Sequence, residues 1–263
     1  MMSGKAVAEK QEAGLPSTEV LDELFSYEGE GLDYDTSELQ IPFIRVIQAL
    51  SPQIKKSDSA FIQGASMGDL FNTVTNQYWS GEEGITVIPC YQETKYLKFG
   101  PRNAGGGFMG ELSKDDPQIA QAKRDGGKEI LPDGNELVKS DQHYCLILDE
   151  DGVPGFGIVD MKSTQLKISR RWKTMATMQS VKTKTGELKR PPIFGTMWRL
   201  KTIEESNDMG SWFNYTVEKV GYVNDKELLD AAVQFRKSIQ SGESKAVAEQ
   251  IVEEEQNNDN APF

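Results

Sequence analysis

Short runs of apolar residues, separated by polar and glycine-rich stretches, recur along most of the chain and predict a protein built mainly from strands. An apolar run at 41–50 opens the folded part and ends before a Ser-Pro turn signal. The runs 69–75, 84–91 and 94–100 are rich in β-branched and aromatic residues or alternate in polarity. Each of these three therefore predicts a strand.

The second half of the folded part predicts two strand pairs. Residues 143–148 and 155–161 form a hairpin signature, because the Asp-Glu-Asp-Gly-Val-Pro sequence between them favours a turn. A final pair is predicted at 194–203 and 211–222, joined through a polar turn. Residues 100–140 are polar and rich in glycine, and predict a long insertion with a short helix near 117–124.

Two segments follow helical spacing. Residues 163–179 predict a helix in which Lys167, Arg170 and Arg171 share a face that adjoins an apolar one. A second helix is predicted after Asn224, which is placed to cap it and is followed by apolar residues at helical spacing. A basic loop is predicted between the first helix and the final strand pair.

Charge is distributed unevenly, and this changes the meaning of the net charge of −12. Residues 1–40 hold ten acidic residues against two lysines, and residues 243–263 hold six against one. By contrast, residues 162–201 hold eleven basic residues against the single acid Glu187. Such a block is a candidate surface for a phosphate backbone, although a solvated basic face paired with the acidic ends is the alternative.

Length, cysteine content and hydropathy bound the class of protein. The 263 residues leave a large central region once the polar ends are removed, which favours one folded domain. Cys90 and Cys145 lie among apolar or aromatic residues and predict buried thiols in a reducing compartment. No apolar run approaches the roughly 18 residues of a membrane helix. A soluble protein of the cytoplasm, without a membrane partner, is expected.

Motifs of catalysis and of cofactor binding are not found. The chain holds a single histidine, His143, and no phosphate-binding loop, dinucleotide fingerprint or nucleophile elbow. Neither a cofactor, a metal nor a catalytic residue is predicted, and the protein is expected not to be an enzyme. The acidic residues Asp149, Asp151 and Asp160 leave a metal-dependent nuclease open as an alternative.

Aromatic residues interleaved with basic ones supply the positive signal. Unpaired bases expose ring faces that stack on aromatic side chains, while lysine and arginine neutralise phosphates. This mixture occurs in the predicted strand region near 95–102, in the basic helix and loop, and on a late strand. The predicted nucleic-acid-binding residues are Lys95, Tyr96, Lys98, Phe99, Arg102, Lys167, Arg170, Arg171, Trp172, Lys173, Lys182, Lys184, Lys189, Arg190, Trp198 and Arg199.

The chain ends in an acidic segment that closes on Pro262 and Phe263. A basic pocket with an apolar floor could capture such a ring together with the terminal carboxylate. The ending resembles the C-terminal tip of bacterial single-stranded DNA-binding proteins and of their phage counterparts. Residues 40–110 also resemble a family of phage proteins associated with DNA binding. The resemblance implies a partner-binding tip made by Glu253, Glu254, Glu255, Asp259, Pro262 and Phe263.

Together these patterns predict a mainly β or α+β fold, an elaborated OB-fold-like barrel with a basic helix and a C-terminal helix. The expected organisation is an acidic flexible arm at 1–38, a single-stranded DNA-binding domain at 39–240 and an acidic disordered tail at 241–263. Such a protein would bind single-stranded DNA in phage replication, recombination and repair, and recruit replication and recombination proteins. A strand-annealing protein and a virion structural protein remain alternatives, and self-association stays open.

Overall fold

A computed structural model describes residues 40–101, 106–148, 154–208 and 210–242, together with positions 17, 20, 23, 24, 26, 27 and 152. Most of the predicted arm and all but two residues of the predicted tail lie outside this part of the chain. The arm, the tail and their boundaries with the central domain therefore stay predictions.

Strands dominate the described residues, and helices are few. The strands are β1 (Phe43–Val46), β2 (Leu70–Asn72), β3 (Tyr78–Trp79), β4 (Ile85–Phe99), β5 (Phe108–Leu112), β6 (Lys123–Asp125), β7 (Lys128–Ile130), β8 (Glu136–Leu148), β9 (Pro154–Lys162), β10 (Val181–Lys182), β11 (Leu188–Lys189), β12 (Thr196–Asn207) and β13 (Gly210–Tyr222). The helices described along their whole length are α1 (Pro117–Gln121), α2 (Leu166–Thr177) and α3 (Lys226–Ser241).

One curled sheet organises the domain. Its strands follow the order β13-β12-β4-β8-β9-β1-β2-β3, with β5 on β4, and β7 and β6 extending from β8. Neighbouring strands are antiparallel except for β1 and β9, which are parallel. The long strands β4 and β8 pair over most of their length and form the centre of the sheet.

Side chains join the two ends of the curled sheet into a half-barrel. The Gln48 amide accepts from the Phe213 N–H at 2.9 Å and donates to the Phe213 carbonyl at 2.8 Å, as a neighbouring strand would. The Tyr215 hydroxyl donates to the Ile44 carbonyl at 2.8 Å. At Gly81 a Cβ atom would lie 2.0 Å from the Gly68 carbonyl oxygen, so only glycine permits this approach.

Helices α2 and α3 cover opposite faces of the sheet. Residues of β8 alternate between the faces. Cys145 and Ile147 pack in the core beneath α2, whereas Tyr144 and Leu146 pack in the core beneath α3. Both cysteines are free and buried, as predicted, and burial raises the pKa of Cys90 to about 12.

The predicted fold class is confirmed: the protein is mainly β with a curled half-barrel sheet and few helices, consistent with an OB-fold-like α+β architecture. The boundaries differ in several places. The two strands predicted at 84–91 and 94–100 form the single strand β4, with a register shift between Pro89 and Tyr91. A bulge here accommodates a proline, which has no N–H for the ladder.

Other boundaries were also wrong by a few residues. The cap of α3 is Asp225, one residue beyond the predicted Asn224, and its carboxylate accepts from the Glu227 and Leu228 N–H groups. The region predicted as an insertion contains β5, α1, β6 and β7. Its Gly126-Gly127 pair, at φ 53° and 87°, supplies the two left-handed residues of a tight hairpin between β6 and β7.

Candidate nucleic-acid interface

Helix α2 has a buried face and a strongly basic outer face. Ser169, Trp172 and Ala176 recur at three- and four-residue spacing and pack onto the sheet. Lys167, Arg170 and Arg171 are exposed, as the helical spacing predicts. Among these, Lys167 pairs with Glu205 of β12 at 2.8 Å.

A buried polar network lies beneath α2 and fixes the helix to the sheet. The Asp141 carboxylate of β8 accepts from Lys173 at 2.6 Å, from Ser169 at 2.7 Å and from Thr94 at 2.7 Å. Burial raises the pKa of Asp141, but these hydrogen bonds outweigh it and hold the pKa below its usual value. Asp141 is therefore ionised, and it neutralises the Lys173 ammonium.

His143 extends this network into the core. Its Nε2 lies 2.8 Å from the Ser169 hydroxyl, and its ring stacks on Trp172 with centroids 4.5 Å apart. Burial lowers the pKa of His143 to about 3, although the Asp141 carboxylate acts in the opposite direction and Lys173 adds to the decrease. The lone histidine is thus a neutral core residue at ordinary pH.

The basic loop predicted after α2 folds as the small hairpin β10–β11. Val181 pairs with Lys189 and Lys182 with Leu188, around a turn at Gly186 with φ 86°. Every side chain of the hairpin except Thr183 is exposed. Within the hairpin, the Glu187 carboxylate lies 3.2 Å from the Lys189 ammonium.

Five exposed cations of α2 and this hairpin, all of them predicted site residues, have no carboxylate partner among the described residues. They are Arg170, Arg171, Lys182, Lys184 and Arg190.

A cleft opens at an unpaired edge of β4. Strand β12 pairs with β4 at residues 85–87 and β5 pairs with it at 96–99, on the edge opposite β8. Between these two ladders, no strand of the described regions pairs with this edge. The cleft lies here, bounded by β4, the C-terminal half of α2 and residues 192–194.

The cleft has apolar and aromatic walls, polar donors and no acidic side chain among its described lining residues. Its volume is about 590 Å³. Tyr91 and Phe194 are its half-buried rings, and the Arg236 guanidinium lies 5.9 Å from the Phe194 ring centroid. The lining residues are Pro89, Cys90, Tyr91, Gln92, His143, Trp172, Lys173, Ala176, Thr177, Pro192, Ile193, Phe194 and Arg236.

Connectivity places the basic hairpin next to the cleft. The chain leaves one wall at Thr177, forms the hairpin over 181–189 and returns to another wall at Pro192. Arg190 is thus two residues from the cleft lining. The basic helix and the basic loop, which the sequence predicts to act together, are joined at this one site.

The prediction that three aromatic rings stack on bases is wrong. Trp172 is 1% exposed, Trp198 0% and Phe99 1%, so none of them presents a ring face to a base. Trp172 and Trp198 contact each other edge to face in the core, with centroids 6.2 Å apart. Trp172 and Trp198 therefore stabilise the fold, while the hairpin cations of the same segment are exposed.

The cations predicted on β4 are neutralised by neighbouring carboxylates. Lys95 lies 3.1 Å from Glu111 and 3.5 Å from Glu93, and Lys98 pairs with Asp133. Tyr96 is half-buried between them, on the opposite face of the strand from Lys95. These residues do not line the cleft.

The remaining predicted site residues are dispersed or not described. Arg199 of β12 donates to the Gly84 carbonyl at 3.3 Å and lies outside the cleft lining. Arg102 and the tip residues Glu253, Glu254, Glu255, Asp259, Pro262 and Phe263 lie outside the described residues.

Sequence reasoning did not select Phe194 and Arg236, and it placed Tyr91 among the aromatic residues without assigning it to the site. Phe194 lies two residues after the Pro191-Pro192 pair that ends the basic loop, and this local sequence could have indicated a ring held beside cations. Arg236 belongs to α3, some forty residues further along the chain. No local signal could have brought it to the cleft.

The residues of the nuclease alternative are only partly described. Asp160 is buried, accepts a hydrogen bond from Ser140 and lies 3.0 Å from the Lys162 ammonium. Asp149 and Asp151 lie outside the described residues. Across the part of the chain that is described, no three His, Cys, Asp or Glu side chains are grouped to hold a metal ion.

No helix in the described ranges is both long enough and apolar enough to span a membrane.

A protein-family model matches most of the chain. The model of the family described as Pam3 phage gp34-like protein matches residues 10–245. The chain belongs to this family. It is therefore a phage protein, and the gp34-like match includes α2, the basic hairpin, the cleft and Arg236 of α3. Neither a curated protein nor a solved structure matches the chain significantly.

Proposed function

We propose that this phage protein is a non-enzymatic single-stranded DNA-binding protein. It protects replication, recombination and repair intermediates in the host cytoplasm. Its acidic C-terminal tip recruits replication and recombination proteins.

The observation that carries the proposal is that the basic hairpin and the basic face of α2 lie beside a cleft lined by two half-buried rings. Single-stranded DNA needs cations that follow the backbone and apolar or aromatic surfaces that receive unpaired bases. Arg170, Arg171 and the hairpin cations supply the first of these. Tyr91 and Phe194 supply the second.

The shape of the site favours single strands over duplex. Bases in a duplex are stacked on each other, so their faces are not available to a ring in a cleft. The cleft, at about 590 Å³, has the size of a pocket for one small ligand. An unpaired base can enter it, whereas a base held inside a duplex cannot.

The tail completes the proposal through charge. Six acidic residues against one lysine in 243–263 oppose binding of the tail to DNA. The apolar ring of Phe263 suits a partner that has a basic pocket with an apolar floor. Partner recruitment rests on the sequence, because these residues are outside the described part of the chain.

A salt titration tests the proposal. The full-length protein is added to a fluorescently labelled thymidine oligonucleotide, and anisotropy gives the affinity at several salt concentrations. We expect the logarithm of the association constant to fall linearly with the logarithm of the salt concentration, with a slope of about 0.7 per neutralised phosphate. Unlabelled single strands should compete far better than a duplex of equal length. Absence of binding at low salt, or equal competition by duplex, would exclude the proposed function.

A further inference from the structure

The cleft contains hydrogen-bond donors that the fold leaves without partners. Trp172 is almost fully buried and lines the cleft, yet its Nε1–H has no acceptor among the described residues. The Gln92 Nε2 atom is buried at the same site and also has no partner within the described chain. Buried donors are nearly always paired in native proteins, so two orphan donors in one cleft are two positions at which a bound group with acceptors can pair.

These two donors converge because of strand register. Gln92 of β4 lies opposite His143 of β8, so both side chains point to the face that α2 covers. The Trp172 ring stacks on the His143 ring over that face. Both orphan donors are therefore on the inner side of the cleft, beneath α2, and the hairpin cations lie outside it.

The rest of the lining restricts the ligand to a flat group attached to an anion. Pro89, Tyr91, Ile193 and Phe194 offer apolar surface on which a planar ring can pack. Lys173 is already neutralised by Asp141, whereas Arg236 has no carboxylate partner in the described part of the chain. The cleft thus combines an apolar slot, two inner donors and one available cation.

We propose that this cleft is a nucleotide pocket that holds one base with carbonyl oxygens, such as thymine, while Arg236 contacts its phosphate. Thymine presents two carbonyl acceptors, which match the Trp172 and Gln92 donors. Adenine accepts only through ring nitrogens and carries an amino donor where thymine has O4, so in the same orientation it would set a donor against one of the two buried donors. The inference rests on the proposed function, since the base would belong to a bound single strand.

Paired oligonucleotides test the preference. Homopolymers of thymidine and deoxyadenosine differ in their own stacking, so the measured quantity is the change in their affinity ratio on substitution. Gln92→Leu removes the donor and keeps the size of the side chain. We expect it to weaken binding of oligo-thymidine roughly 2- to 10-fold and that of oligo-deoxyadenosine less than twofold. Gln234→Leu, an exposed change on α3, is the matched control and should leave the ratio unchanged.

Arg236→Gln tests the phosphate contact separately. It should weaken binding of both homopolymers equally and reduce the salt slope by about 0.7, the value for one phosphate on a single strand. Lys237→Gln removes the same charge one residue away, at an exposed position outside the cleft lining, and should change the slope much less.

A spectroscopic measurement covers the case in which Gln92→Leu does not fold. The Trp172 indole N–H signal of the ¹⁵N-labelled wild-type protein, assigned with Trp172→Phe, should shift downfield on addition of oligo-thymidine and not of oligo-deoxyadenosine. Thymidine monophosphate, added alone, distinguishes a base within a strand from a free nucleotide. An indole shift with the monophosphate but no oligonucleotide binding would support the pocket and exclude the proposed function.

Two outcomes would overturn the pocket. Oligonucleotide binding with an unchanged affinity ratio in Gln92→Leu and an unmoved indole signal would reject it and leave the proposed function intact. Absence of binding by both the oligonucleotides and the monophosphate would reject both.

Discussion

The cations of the hairpin and those of β4 look alike in the sequence, but they differ in exposure and in pairing with carboxylates in the structure. Lys182, Lys184 and Arg190 are exposed and have no carboxylate partner among the described residues. Lys95 and Lys98 are half-buried and bound to Glu111 and Asp133. Only the first group retains a positive charge that phosphate can neutralise, because the second group's charge is balanced within the fold.

Their surroundings explain the difference. Strand β4 is flanked by β8 on one edge and by β5 on part of the other, so its side chains meet those of neighbouring strands, several of which are acidic. The β10–β11 hairpin is a separate two-stranded sheet that projects from the walls of the cleft. Glu187 is its single acid. A basic segment is therefore informative about binding only when its neighbours in the fold are known.

The largest effect is expected where a predicted binding residue belongs to the core. Trp198→Ala should lower the free energy of unfolding by about 3–5 kcal/mol, because a fully buried indole leaves a cavity. Denaturant unfolding measures this loss. The folded fraction should bind single-stranded DNA as the wild type does. A stable variant with lost DNA affinity would mean that the ring binds DNA after all.

Elements that depend on neighbours in sequence could be predicted, whereas features that depend on distant residues could not. The periodicity of α2, the hairpin of β8 and β9 and the final strand pair depend on neighbours in sequence, and the sequence predicted all of them. The joining of two predicted strands into β4 depends on pairing with β8 on one edge, which no local pattern reveals. Burial of Trp172 and Trp198 likewise depends on how the segment 162–201 folds over the sheet.

The site was less predictable than the fold for the same reason. Its basic half is contiguous in sequence, and the sequence predicted it. The cleft combines β4, α2, residues 192–194 and Arg236, which are brought together by the curl of the sheet and by the two helices on its faces. The carboxylates that neutralise Lys95, Lys98 and Lys173 also come from other elements, namely β5, the turn before β8 and β8 itself.

Neutralising cations of each group, with the loss compared per removed charge, tests the comparison directly. The triple variant Lys182→Gln, Lys184→Gln and Arg190→Gln should reduce the salt slope of single-stranded DNA binding by about 2 and weaken affinity about a hundredfold at 0.1 M salt. Lys95→Gln with Lys98→Gln should change the slope by much less, because these ammonium groups are already paired. Anisotropy titrations measure both variants, and equal losses in the two sets would refute the distinction.

A smaller effect is expected from the third kind of cation, the neutralised Lys173. Asp141→Asn should lower the free energy of unfolding by about 2 kcal/mol, since it leaves a partly buried ammonium without its carboxylate. Adding Lys173→Met should recover part of this loss, because the unpaired charge is then removed as well. Denaturant unfolding of the single and double variants checks the coupling, and strictly additive losses would argue against it.

Near neutral pH the smallest effect belongs to His143, the neutral ring beside this pair. The folded-state pKa of His143 is about 3, below the unfolded value near 6.5, so its contribution to stability is complete above pH 6.5 and decreases as pH falls towards 3. In that window the unfolded state binds a proton at His143 and the folded state does not, so the free energy of unfolding falls by about 1.4 kcal/mol per pH unit. His143→Gln should flatten the decrease measured by denaturant unfolding between pH 6.5 and 5. Carboxylates titrate mainly below this range, so an unchanged slope in the variant would show that His143 already accepts a proton in the folded protein. It would then be a further cation beneath α2.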